Sequence, residues 1–201
     1  MMPDAQSLIA EFDTKLSKAS NTQNSATLRR LTDLFIAGAG SYSNDHVAIF
    51  DDVIGHLMAK SDHAALIELS TRLAPIGNAP MRLVSQLSRN DDMAVSGPLL
   101  SASSVLTDEV LVEIAETKSQ RHLAAIAGRT RISMSVADVL IDRGNSEVTH
   151  KLIDNQGAGL SELGFVKLIN RAKGDRALAA AIESRTDLPP ELQPFLNLAL
   201  A

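Results

Sequence analysis

Histidine is the side chain of this chain best suited to proton or phosphoryl chemistry, because its pKa lies close to neutral pH. The five histidines are His46, His56, His63, His122 and His150. No two of them lie four residues apart around a glutamate, the spacing that places two zinc ligands on one helix face. Cysteine is absent, which removes disulfides, thiolate metal sites and cysteine nucleophiles. The sequence therefore predicts neither a metal site nor a bound cofactor.

His56 is the strongest candidate for a reactive residue. Gly55 leaves room beside it, and Lys60 follows one helical turn later, where a cation would stabilise phosphate on the imidazole. The arrangement is loosely similar to the phosphorylatable histidine of phosphotransfer bundles, although the lysine spacing is off by one residue and the usual following glycine is missing. Phosphotransfer through His56 and Lys60 is kept as an alternative function, beside the simpler interpretation of a partly exposed structural histidine.

Two pairs of neighbouring carboxylates, Asp51-Asp52 and Asp91-Asp92, could in principle act as general acid and base. Both pairs are predicted at helix beginnings or in first turns. A favourable interaction with the helix dipole explains them without catalysis. No other group of residues has the spacing of a known catalytic motif, so the sequence favours a protein that is not an enzyme.

Arginines near helix ends are the candidate binding residues. Equivalent places at the ends of successive helices hold Ser103, Arg129, Asn155 and Arg185. Recurring positions in repeat proteins often line one surface, so Arg129, Arg131, Arg171 and Arg185 could bind an acidic peptide or a phosphate group. The competing explanation is local, because a cation at a helix C-terminus interacts with the dipole and with exposed carbonyls.

A helix-start pattern recurs through the second half of the chain and must position these residues. The starts are Pro80, Thr107, Ser133, Ser161 and Pro189, separated by 27, 26, 28 and 28 residues. Serine and threonine suit the cap position, and proline suits the first helical position. Second helical stretches are predicted between the starts, at residues 91–101, 120–129, 146–155 and 175–185. The pattern predicts stacked helical hairpins.

Apolar residues recur at fixed distances from these starts. Seven residues after each start lie Leu87, Ile114, Leu140, Leu168 and Leu196, which we call the spine. Three residues after each start the side chain is again aliphatic, except at Gly164, where Leu163 and Phe165 are expected to compensate. A unit of about 27 residues cannot bury its apolar face alone, so neighbouring units must share one core in a curved, quasi-one-dimensional array.

The N-terminal part follows a different spacing. Longer helices are predicted at residues 5–18, 24–37, 45–60 and 62–73, with a break at residues 37–41. We expect residues 1–75 to form a helical cap or bundle and residues 76–201 to form the hairpin repeats, both packed continuously as one unit.

Composition restricts the partners. With 19 basic and 24 acidic residues the net charge is −5, and aromatic residues make up 3% of the chain. Both values disfavour nucleic-acid binding, which needs a basic surface and, for base-flipping repair enzymes, aromatic residues around the base. No stretch is apolar enough for a membrane span and the N-terminus has no signal-peptide pattern, so we expect a cytoplasmic protein without membrane association.

Several segments resemble one bacterial family in the same order along the chain. The segments include Ile49-Phe50-Asp51-Asp52-Val53, Asn78-Ala79-Pro80, Asp91-Asp92-Met93-Ala94-Val95, Gly97-Pro98, residues 111–115 and His122-Leu123. They are similar to the family known as domain of unknown function 2336. The resemblance implies an all-α protein, an α-α superhelix of HEAT-like helical repeats, and it implies no activity. We therefore expect a non-catalytic adaptor that binds a protein partner on a repeat surface.

Overall fold

The computed structural model describes residues 20–200, which form twelve α-helices and two short 3-10 turns. The helices are α1 (Asn21–Gly38), α2 (Asn44–Met58), α3 (His63–Leu73), α4 (Met81–Ser88), α5 (Met93–Ala102), α6 (Asp108–Thr117), α7 (Gln120–Ala127), α8 (Met134–Arg143), α9 (Ser146–Asp154), α10 (Glu162–Arg171), α11 (Arg176–Glu183) and α12 (Gln193–Leu200). The 3-10 turns are Ala39–Ser41 and Pro190–Leu192.

The helices pack in two layers. Even-numbered helices make the first-helix layer, in which α2 packs on α4, α6 on α8, α8 on α10 and α10 on α12. Odd-numbered helices make the second-helix layer, in which each helix packs on the next odd-numbered one from α1 to α11. Each of α4, α6, α8 and α10 also packs on the helix that follows it in the chain. The prediction of an all-α fold is confirmed.

The five predicted starts coincide with the residues that precede first-layer helices. They are Pro80 before α4, Thr107 before α6, Ser133 before α8, Ser161 before α10 and Pro189 before the turn that leads into α12. The hydroxyls of Ser133 and Ser161 accept bonds from amides three residues later, at 3.4 and 2.9 Å. Pro80 and Pro189 occupy the cap position, one residue earlier than the sequence suggested.

The spine residues are buried in one continuous hydrophobic core. Leu87 is 2% exposed, and the other four spine residues are fully buried. The same core contains Leu28 of α1 and Leu196 of α12, so it runs through both the N-terminal helices and the hairpins. Each hairpin therefore shares its apolar face with its neighbours.

Gly164 marks a close contact between α10 and α8. A Cβ atom on this buried residue would lie 3.0 Å from Cδ1 of Ile141, so the absence of a side chain lets the two helices approach. Phe165 is buried as predicted. The prediction that Leu163 also fills the space is wrong, because Leu163 lies on the solvent side of α10 and is 61% exposed.

The N-terminal helices pack directly on the hairpins. Helices α1, α2 and α3 lie within a few residues of the predicted segments 24–37, 45–60 and 62–73, while the segment 5–18 lies outside the described residues. The predicted break is the 3-10 turn Ala39–Ser41. Because α2 packs on α4 and α3 on α5, both layers continue across the junction near residue 75.

Candidate interaction surface

Arg129 connects two successive helices of the second-helix layer. It follows α7, and its Nη1 and Nη2 atoms donate to the carbonyls of Leu100 and Ser103 at the end of α5, at 2.8 and 2.7 Å. Burial lowers the pKa of Arg129, because the charged guanidinium loses solvent. These carbonyls have no partner within their own helix, so Arg129 completes the C-terminus of the preceding helix.

Arg185 makes the same connection between α11 and α9, and it is more deeply buried. Its Nη1 atom donates to the carbonyls of Ile153 and Asn155, at 3.2 and 2.8 Å, and its Nη2 atom donates to that of Ala158 at 2.8 Å. Asp187 accepts two further bonds, at 2.7 and 2.8 Å. The side chain of Arg185 is 1% exposed, so its donors are not presented to a partner.

Asn155 occupies the equivalent place between these two arginines. Its side-chain amide donates to the carbonyls of Ala127 and Arg129 at the end of α7, at 3.0 and 2.7 Å. We call Arg129, Asn155 and Arg185 the capping ladder, because each caps the second helix of the preceding hairpin. The sequence shows that these three residues occupy equivalent positions, but it does not show that each of them contacts the preceding hairpin.

Arg171 and Arg131 are the exposed members of the four predicted binding residues, whereas Arg129 is partly buried and Arg185 is buried. Arg171 ends α10 and donates to the carbonyl of Gly144 after α8 at 2.9 Å and to the hydroxyl of Thr149 at 3.0 Å. Arg131 is exposed in the loop between α7 and α8. Since Arg129 and Arg185 cap different helices, the structure does not gather the four arginines into one site.

His56 lies on the exposed side of α2, in an open groove between α2 and α4. Its Nδ1 atom lies 2.7 Å from the carbonyl oxygen of Asp52. A carbonyl only accepts, so Nδ1 carries the proton, and the neutral ring has its lone pair on Nε2. Lys60 and Arg82 line the same groove, and Arg82 forms an ion pair with Asp52.

Asp51 caps α4 from the neighbouring helix. Its carboxylate oxygens accept the backbone amides of Arg82 and Leu83, at 3.2 and 3.0 Å. These amides open α4, where the cap residue Pro80 offers no side-chain acceptor. Asp51 and Asp52 lie in the middle of α2, so the prediction that they begin a helix is wrong; the stabilised N-terminus is that of α4.

Two other histidines interact with helix caps of the second-helix layer. His63 Nε2 lies 2.8 Å from Asp92, the N-cap of α5, and His150 Nε2 lies 3.0 Å from Asp175, the N-cap of α11. Bonds from first-turn amides, and then the histidines, lower the pKa of both aspartates. Among residues 20–200 no three His, Asp or Glu side chains come together in a way that could hold a metal ion.

Exposed apolar side chains are concentrated on one layer. Eight large apolar residues are exposed in the described part of the chain, and seven of them belong to the first-helix layer. Five of the seven lie on three consecutive helices of that layer and form what we call the apolar strip: Met134, Leu163, Val166, Phe195 and Leu198. The strip was not predicted from the sequence. The available signal was apolar residues outside the buried stripe, such as Leu163 and Val166.

The fold and this surface define an all-α protein of stacked helical hairpins. A family model described as an uncharacterised protein conserved in bacteria, DUF2336, matches residues 95–194, and these residues belong to that family, as the resemblance implied. The match begins in α5 and ends in α12, so it covers the repeats that follow residue 95. Comparison with curated proteins and with solved structures gave no significant match. No helix within residues 20–200 combines the length and hydropathy that a membrane span requires.

Proposed function

We propose that the chain is a non-catalytic adaptor of the bacterial cytoplasm, which binds a protein partner through its first-helix layer. The apolar strip carries this proposal. Its five residues are between 37% and 75% exposed, on helices that pack side by side. Exposed apolar side chains grouped on adjacent helices are typical of protein-binding sites.

The second-helix layer supports the assignment by contrast. Leu34 of α1 is the one large apolar residue exposed on its described helices. On α11 the exposed residues include Arg176, Ala180 and Glu183. Exposed apolar side chains are therefore a property of one face of the molecule and not of its whole surface. Because Arg185 is buried and the partly buried Arg129 donates to carbonyls of the preceding hairpin, the protein surface also offers less positive charge to nucleic acid than the sequence alone suggests.

The test is partner capture with surface variants of the full chain. The immobilised wild type is incubated with lysate of the native host, beside Leu163→Ser and Phe195→Ser on the strip and Ala180→Ser on the opposite layer. We expect one partner to be recovered by the wild type and by Ala180→Ser, and recovery to fall about tenfold or more with either strip variant, as for central interface residues. Equal recovery by all four proteins, or no partner above background, would refute the proposal.

Phosphotransfer through His56 is the second candidate function, and it is favoured by the hydrogen bond from Nδ1 of His56 to the backbone carbonyl of Asp52. That bond holds the tautomer in which Nε2 can attack a phosphoryl group, and Lys60 lines the same groove. The reaction forms an Nε2–P bond as the donor's bond to phosphorus breaks. Incubation with labelled ATP and a histidine kinase of the host should label the wild type and His46→Gln but not His56→Gln. Identical labelling of all three proteins, or none, would remove this candidate.

A further inference from the structure

We propose that the segment bound by the apolar strip is a single amphipathic helix with basic residues on its polar face. This inference rests on the proposed adaptor function and adds the chemistry of the partner. It follows from three properties of the first-helix layer: the extent of the strip, the spacing of the helices that carry it, and the charge beside it.

The size of the strip fits one helix better than a second copy of the chain. Its five side chains expose apolar surface on the order of 400–500 Å². A stable protein interface buries about 800 Å² on each partner, so the strip alone is too small for a tight dimer. An amphipathic helix that docks by a few apolar anchors needs less surface.

The spacing of α8, α10 and α12 sets the length of that helix. Neighbouring packed helices lie about 10 Å apart, so the outermost of three adjacent helices are separated by roughly 20 Å. A helix of about 14–18 residues is long enough to cross all three, at 1.5 Å per residue. Met134 of α8, Leu163 of α10 and Phe195 of α12 would then contact its apolar face at points about two turns apart.

The charge beside the strip selects a basic partner. Helix α6 packs on α8, next to the strip, and carries four acidic residues without a basic one: Asp108, Glu109, Glu113 and Glu116, all exposed. Glu113 forms an ion pair with Arg89, whereas the carboxylate of Glu116 makes no hydrogen bond or ion pair within residues 20–200. Helix α10 carries two cations: Lys167 is paired with Asp142, and Arg171 donates to the carbonyl of Gly144. Lysine or arginine directed toward α6 would therefore meet uncompensated negative charge, and an acidic helix would be repelled.

Three synthetic peptides of 18 residues test the inference on the full chain by fluorescence anisotropy. The first has leucines on one helix face and lysines on the other, the second has the same composition with the leucines scattered, and the third replaces every lysine of the first with glutamate. We expect the first peptide to bind at least about tenfold more tightly than either control. Equal affinity for all three peptides, or preference for the glutamate peptide, would overturn the inference.

Variants of the chain assign the peptide to the strip. Leu163→Ser should weaken binding of the lysine peptide about tenfold, and Ala180→Ser should leave it unchanged. Glu116→Lys should weaken it severalfold at low salt and reduce its salt dependence. An unchanged affinity in Leu163→Ser would overturn the inference, as would a wild-type dimer that Leu163→Ser dissociates in sedimentation, because the strip would then bind a second copy.

The outcomes separate the two proposals. If the strip variants abolish partner capture while the lysine peptide binds no better than its controls, the adaptor function stands and the basic helix is wrong. If neither a partner nor the peptide binds through the strip, both proposals fail.

Discussion

Replacement of Arg185 by alanine tests the capping ladder at its most buried member. The change removes the donors that reach the carbonyls of Ile153, Asn155 and Ala158, and it also removes the partner of Asp187. Alanine cannot reach any of these groups, and the side chain that it replaces is 1% exposed. The three backbone carbonyls at the junction of α9 and α11 can then be hydrogen-bonded only by water that enters this region.

The expected loss follows from the number and burial of these bonds. A hydrogen bond to a charged group contributes about 1.5–3 kcal/mol, and a buried acceptor that is left unpaired costs about 1–3 kcal/mol. Because carbonyls regain part of their bonding from water, we expect the free energy of unfolding of Arg185→Ala to fall by about 3–5 kcal/mol and not by the sum over all bonds. For a chain of this length that corresponds to a melting temperature lower by roughly 6–20 °C.

Denaturation followed by circular dichroism measures the loss, and hydrogen exchange locates it. Exchange should accelerate most in α9, α11 and the loop between α9 and α10. Arg131→Ala is the matched control, because it removes an equal positive charge from an exposed loop position and should change stability by less than about 0.5 kcal/mol. If Arg185→Ala is no more destabilising than Arg131→Ala, the ladder does not stabilise the stack and our reasoning about these arginines is wrong.

Two further predictions concern the core and the helix caps. Leu168→Ala, at a fully buried spine position, should lower the free energy of unfolding by about 2–5 kcal/mol. Leu163→Ala, at an exposed position of the same helix, should change it by less than about 0.5 kcal/mol. Similar losses for the two variants in chemical denaturation would contradict the burial of the spine. Asp92 has a folded pKa below its ordinary value of 3.8, so its charge stabilises the fold above that pH, and the stabilisation is lost as the pH falls through the lower folded pKa. Asp92→Asn keeps a capping side chain without the charge. The free energy of unfolding of the wild type should therefore exceed that of the variant at pH 6, and this difference should vanish in acid. A difference that is independent of pH would count against the contribution of this charge.

The periodic part of the fold could be predicted from sequence because it is local. A cap residue and an apolar residue seven positions later belong to the same helix, so the starts and the spine depend on helix geometry alone. The same reasoning found equivalence among Arg129, Asn155 and Arg185, since equal distances from a start mean equal places in a hairpin. Apolar residues at the same distances from each helix start therefore predicted the repeat, although the sequence does not show how the hairpins pack on each other.

Contacts between helices could not be predicted from the periodicity of the sequence. Asp51 stabilises the beginning of α4 and not that of its own helix, and sequence order does not show that α4 begins beside the middle of α2. The sequence predicts Leu163 in the core because it adjoins Gly164, but Ile141 of α8 occupies the space beside that glycine. The apolar strip was missed for the same reason: its residues come from three helices, and their common surface exists only when those helices pack.

The capping ladder gives a physical reason for the nearly constant repeat length. Arg129 reaches carbonyls 26 and 29 residues earlier, Asn155 reaches 26 and 28, and Arg185 reaches 27 to 32, while the helix starts are 26 to 28 residues apart. A hairpin of different length would displace the donor from the helix end that it caps and would leave buried acceptors unpaired. The same constraint commits two of the four candidate arginines to capping helices of the stack, which leaves the surface of the first-helix layer to be defined by its apolar strip and by the acidic residues of α6.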